Sequence, residues 1–306
     1  MNRKIIINFA VLAVLVIQGI CNAEARYSRQ VNLIIPAAHA GSFDAKIHNG
    51  EINITGSQTT DCNIAAEINI KAENEEKAKE FAEKVKFELV TEGDAIKVKI
   101  DRSDIPKSVQ MTINMDVILP AEINLSLKTH NGKINAANIG KISALTHNGN
   151  ITVQGASGGA DLITHNGKIN IDNIAGKIKA ITHNGEIKIN GSQDKANLLT
   201  HNGKIKYTGA LADLKFESHN GNIDITCTGQ SSAICNIWAQ THNSSISFAA
   251  PENFSAVIEA STHSGSINTD LPVTIIEKSK NKLKGTIGDG RNNLSFKTHS
   301  GSIKIK

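Results

Sequence analysis

Histidine is the residue type in this chain whose placement invites a chemical reading. The tetrapeptide Thr-His-Asn-Gly stands at 129–132, 146–149, 164–167, 182–185 and 200–203, with variants at 218–221, 241–244, 262–265 and 298–301. His147, His165, His183, His201 and His219 are each 18 residues apart, and His130 lies one shorter interval ahead of them. Free imidazole binds late transition metals and titrates near pH ~6.5, so an outward column of histidines predicts a metal-binding or pH-responsive edge. Stacked imidazolium ions would repel one another, and acid should loosen or recharge such an edge. A metal site gathers its ligands around a point, however, and no Cys or carboxylate interleaves with this line. The same pattern is therefore also that of an outward corner residue copied with the repeat, and no cofactor is expected.

The remaining reactive side chains are sparse. Cys62, Cys227 and Cys235 follow the first 25 residues, and Cys227 and Cys235 bracket the extra residues of the one repeat that lengthens to 23. In an oxidising compartment these two can form a local disulfide, leaving Cys62 odd; the alternative is three buried small apolar side chains. Catalysis is not expected. Polysaccharide-cleaving β-helices need convergent carboxylates or a basic residue in a groove, with aromatics that stack sugars. Here the acidic residues scatter between repeats and Trp238 is the single tryptophan. A polysaccharide-binding or -cleaving β-helix is thus the weakest of the readings.

A fixed period means one small unit stacked on copies of itself. From residue 121 each unit reads Thr-His-Asn-Gly-x-Ile-x-Ile, a turn, then a second alternating strand into the next Thr. One parity is apolar: Ile169 and Ile171, Ile187 and Ile189, Ile205 and Tyr207, Ile223 and Ile225, with Ile178, Ala180, Leu214 and Phe216 on the second strand. The other parity of the first strand is polar. Thr shares the core parity, whereas His shares that of Lys133, Lys168, Glu186 and Lys204 and points outward. Asn and Gly are expected for the left-handed backbone of a sharp corner.

Two architectures fit. Each unit can be one coil of a right-handed β-solenoid, with successive coils paired in register. Alternatively, Asn-Gly is a type I′ turn in an antiparallel β-hairpin repeat array. A meander of some twenty strands exceeds the roughly ten at which open sheets curl or split, so the all-β solenoid with coils of about 18 residues is the expected fold. The interval from His263 to His299 is twice the period and should hold a degenerate coil. Open strands at the end of the stack could pair with a second copy.

Residues 26–120 are less regular and read as an N-terminal cap holding one isolated coil at His48. Asn74 is a helix N-cap, and Ala78, Phe81, Ala82 and Val85 share a face, giving a strand-helix-strand insertion with strands near 86–90, 95–100 and 109–119. A further apolar column, Leu145, Ile163, Ile181 and Leu199, lies on an outward face and is expected to be covered by that helix or its neighbouring strands, the alternative being a partner. The segment 1–25 has Arg3 and Lys4 before an apolar run and small residues at 23–25, as a cleavable export signal does. Three domains are expected: 1–25, 26–120 and the repetitive 121–306.

The chain has 33 basic and 29 acidic residues, net +4. Without Arg3, Lys4 and Glu24 the balance is +3, and this interspersed surface gives no argument for nucleic acid. No second long apolar run follows residue 25, so no transmembrane segment is expected in the mature chain.

The Thr-x-Asn/Ser-Gly-x-Ile units and the ending Gly-Thr-Ile-Gly-Asp-Gly at 285–290, with Leu-Ser-Phe-Lys-Thr-His-Ser-Gly-Ser-Ile at 294–303, resemble a bacterial adhesin-like family of unknown function, the DUF 4097 group. The copy at His48 and the helix after Asn74 look like that family's opening. The resemblance implies a β-solenoid on exported or envelope-associated proteins, without an established enzyme activity or assigned site. Histidine before Asn-Gly is a departure that the family pattern does not demand. The expected function is a non-catalytic structural or adhesin-like module in the periplasm, at the cell surface or outside the cell, binding a protein or glycan surface. A metal- or pH-responsive protein using the His column is the alternative.

Overall fold

An interval of 18 residues between like strands makes each strand the parallel neighbour of its next copy. Ile169 pairs with Ile187, Ile187 with Ile205, and Ile205 with Ile223. The second strands do the same, Ile178 with Ala196, Ala196 with Leu214, and Leu214 with Ile237. Asn-Gly therefore turns the chain from one sheet to the other, and the fold is a β-solenoid; the antiparallel hairpin array does not form. The physical reason is burial: two amphipathic strands facing each other across a coil cover both apolar parities, whereas a meander would leave one face open.

The computed structural model describes residues 25–229 and 233–306, in two units, Met1–His147 and Asn148–Lys306. The predicted export segment lies outside the described residues except for Ala25. Among the described residues no helix is long and apolar enough to cross a membrane.

In the second unit one sheet runs Ile151–Ala156, Ile169–Ile174, Ile187–Ser192, Ile205–Ala210, Ile223–Thr228, Ile246–Ala249, Ile303–Ile305, Ile267–Thr269. The predicted parity is the core. Ile205, Tyr207, Leu214 and Phe216 are all at most 2% exposed, and each large side chain so buried contributes about 1.5–3 kcal/mol. Tyr207 and Phe216 meet across the coil with ring centres 5.3 Å apart, and the tyrosine hydroxyl donates to the Ala210 carbonyl at 2.8 Å. Ile174 and Leu211 are buried at the second corner.

The end of this unit departs from chain order. The last coil, Asn292–Thr298 with Ile303–Ile305, inserts between the coil of Asn236–Thr241 and that of Ala256–Thr262. The interval after His263 does not hold a degenerate coil. It forms the hairpin Thr274–Lys278 and Lys282–Ile287, laid antiparallel on Ala256–Thr262. The antiparallel ribbon needs no second sheet to face, so the sequence between the two motifs lacks the two-strand, two-corner pattern of a coil.

The first unit also reorders its chain. Ser42–Lys46 and Ile52–Ser57 form the His48 coil, which lies directly against Asn124–Lys128 and Ile134–Ile139. The intervening Ala95–Asp101 and Gln110–Pro120 add on its other side. Antiparallel strands finish this end: Lys86–Glu92 on Ala95–Asp101, and Asp61–Ala72 then Ala25–Pro36 on Gln110–Pro120.

The helix is Glu75–Lys84, capped by Asn74, whose side-chain oxygen accepts from the Lys77 amide at 2.8 Å. Ala78 and Ala82 are buried against the strands Ala25–Pro36 and Asp61–Ala72. Arg29 donates to the carbonyls of Ala82, Glu83 and Val85 at 2.7, 3.1 and 2.9 Å, closing the helix C-terminus. The helix thus spends its apolar face inside its own unit. In the second unit, Ile163 and Ile181 of the outward column are half-buried and Leu199 is 38% exposed.

Candidate functional site

The corner of each coil is built from the backbone outward. Thr164, Thr182 and Thr200 are at most 3% exposed, and their hydroxyls donate to the carbonyls of Gly149, Gly167 and Gly185 one coil earlier, at 2.8, 2.9 and 3.0 Å. Glycine is demanded by contact. A Cβ on Gly203 would sit 1.7 Å from the Gly185 carbonyl oxygen, and one on Gly221 1.7 Å from that of Gly203. The expected left-handed conformation is absent from these corner Asn and Gly residues in the second unit; positive φ appears instead at the opposite corner, at Asn173 (57°) and Gly191 (72°). The motif glycine is there because successive corners stack backbone on backbone.

Asparagine has a separate role. Each side-chain amide donates to its predecessor's oxygen: Asn184 to Asn166, Asn202 to Asn184 and Asn220 to Asn202, all at 2.7 Å. An amide ladder of this kind satisfies one donor and one acceptor per coil and fixes which way every amide points.

Histidine completes the corner on the outside. In the first unit His130 and His147 are exposed and follow His48, with ring centres 4.9 Å apart at each step. In the second unit the exposed His165, His183, His201 and His219 form a stack spaced 4.8–4.9 Å, with planes within 11° of parallel. The stack continues through His242, His299 and His263, in spatial rather than chain order. These three rings, of which the inserted coil brings His299, extend the column beyond the six histidines read from the regular spacing. Identical Thr-His-Ser-Gly motifs at 262 and 298 are the signal that places them on the same line.

The histidine ring has a defined polarity. His242 Nδ1 lies 2.8 Å from Asn243 Oδ1, and His130 Nδ1 lies 3.1 Å from Asn131 Oδ1. The Asn243 amide donates its Nδ2 to Asn220 Oδ1 at 2.7 Å. Its oxygen is then the acceptor for the ring, so Nδ1 carries the hydrogen and Nε2 keeps its lone pair. Among the described residues no three His, Cys, Asp or Glu side chains gather as a metal cluster would require.

Cys62, Cys227 and Cys235 are free and buried, so of the two readings it is the packed side chains, not a Cys227–Cys235 disulfide, that the structure holds. Cys227 fills an inward core position of Ile223–Thr228, and Cys235 Sγ lies against the carbonyls of Leu211 and Ala233 at 3.6 and 3.5 Å. Burial pushes the Cys62 and Cys227 thiols up to about 12, the state of packing residues rather than nucleophiles. At the end of the second unit a hollow of about 420 Å³ opens between Ile267, Asn268, Thr269, Lys278, Leu283 and Lys304.

Residues 25–306 match the family model described as Toastrack DUF4097. The chain belongs to that family. Similar solved structures include a putative cell adhesion protein from Clostridium sporogenes, at 12% identity and a TM-score of 0.25, covering 91% of this chain and 99% of that one. Putative adhesins from Parabacteroides distasonis and Bacteroides fragilis are 11% and 13% identical, with TM-scores of 0.43 and 0.37; each comparison covers 90% of this chain and 97% of the other. No curated protein sequence matches the chain.

Proposed function

We propose that this family member is an exported module of the bacterial envelope or surface that binds a protein or glycan surface through its repeated outer faces, without catalysing a reaction. The observation that carries the reading is the division of labour at the corner. Thr, Asn and Gly serve the stack itself, while the exposed positions repeat one side chain at one spacing, as in the His165 to His219 series. Many equal, weak contacts along a rigid line give avidity; convergent catalysis needs unlike groups around one point. Cell fractionation and a glycan and protein array with the mature chain test it. Saturable binding insensitive to chelator is expected, and turnover of any polysaccharide would overturn it.

The imidazole stack favours a second reading, a binding edge that responds to pH. Its metal form is tested by thermal melts with zinc and nickel: an unshifted melting temperature removes it.

A further inference from the structure

The outer faces of the second unit are unlike. The sheet of Ile169–Ile174 shows Asn170, Lys188, Lys206 and Asp224 outward. On the other sheet, the column just before the corner carries Ile163 and Ile181, half-buried, and the exposed Leu199. Beside it runs the imidazole stack, seven rings from His165 to His263 at steps of 4.6–4.9 Å. The charged groups bordering it are Glu217 and Lys297 before the corner and Lys168, Glu186 and Lys204 after it; Lys204 is paired with Asp224 at 2.6 Å. The border is therefore nearly balanced, and the charge of this edge is set by the rings.

We propose that the stack binds a linear anionic glycan with one acidic group per sugar, laid along the column, and that binding takes up protons on the imidazoles. The proposal rests on the surface-binding reading and names its ligand class. A constant step over seven rings can be engaged in full only by a ligand with a period of its own. An irregular protein surface has none, whereas a sugar chain repeats at every monomer, and the apolar column offers cover for the rings' C–H faces. An acidic group brought close to an imidazole favours the charged form of the ring. Proton uptake at Nε2 and anion binding are thus linked, since whatever favours one favours the other by the same factor.

Polygalacturonate is the probe, dextran the uncharged control and duplex DNA the polyanion of different period, all at about 0.15 M salt. Titration calorimetry of the mature chain in two buffers of different ionisation enthalpy reads both affinity and protons. Polygalacturonate should bind about tenfold or more tightly at pH ~5.5 than at pH ~7.5, with net proton uptake. The triple variant His183→Gln, His201→Gln, His219→Gln should lose about tenfold in affinity at the lower pH. Lys188→Gln with Lys206→Gln, on the other sheet's outer face, should lose almost none, and serves as the second readout if the triple variant unfolds. Absence of binding at either pH, loss that follows the lysines instead of the histidines, or equal competition by DNA at matched charge would each sink the proposal. If the array finds another saturable partner while polygalacturonate fails, this proposal falls and the surface-binding reading stands.

Discussion

The two ends of the repeat are finished differently. At the N-terminal end of the first unit both sheets pass into antiparallel strands, and the helix Glu75–Lys84 is fastened over one of them by Asn74 and Arg29. At the C-terminal end of the second unit only one sheet is so extended. Its outermost strand, Thr274–Lys278, is fully exposed and interrupted at Ile276, which falls in the register shift between Ile275 and Glu277. The other sheet stops on the three residues Ile267–Thr269. A bulge, lysines and a short edge strand all discourage edge-to-edge pairing. One end is thus closed by covering it, and the other by making its edges poor templates.

The corner glycines should give the largest effects, because both ends keep the same backbone contact. A Cβ on Gly50 would lie 1.9 Å from the Ile113 carbonyl oxygen, and one on Gly301 2.1 Å from that of Ser244. Gly50→Ala and Gly301→Ala are each expected to cost about 4 kcal/mol or prevent folding, read by denaturant unfolding. A mild effect at Gly301 would show that the second end is slack. Phe296, 1% exposed and 5.6 Å from Phe248, anchors the inserted coil; Phe296→Ala should cost about 3–5 kcal/mol. Arg29→Ala strips three helix carbonyls of their donor and should cost about 2 kcal/mol, with faster amide exchange confined to the helix. Asn74→Ala should cost about 1 kcal/mol by the same measurements.

The smallest stability change belongs to the exposed edge. Deleting Ile276 regularises Thr274–Lys278 and should alter stability by less than about 0.5 kcal/mol. It should nonetheless promote self-association in sedimentation velocity. A monomer at high concentration would mean that the lysines alone protect the edge.

The middle of the repeat was legible because its signals are local. The 18-residue step, the apolar parity and the outward histidine each follow from side-chain alternation, and Asn74 with Ala78 and Ala82 marks a helix without reference to its neighbours. The corner was half legible. Nothing within Thr-His-Asn-Gly distinguishes a glycine needed for positive φ from one needed because another carbonyl passes against it. The reordered ends were not legible, since the motifs at 262 and 298 are equally good neighbours for the coil of His242, and only the hairpin between them decides. Nor could an amphipathic helix declare which exposed strip it would cover.

The inserted coil has a consequence for how the molecule is made. Residues 236–249 and 256–269 leave the ribosome, and any export pore, before the segment that separates them in space. They cannot settle against each other in the order of their arrival; a slot one rung high must stay open until Asn292–Thr298 and Ile303–Ile305 enter it. The end of this solenoid is therefore closed by a keystone. Growth by simple addition of coils, which the regular part permits, stops short there, and completion of that end waits on the delivery of residues 292–305.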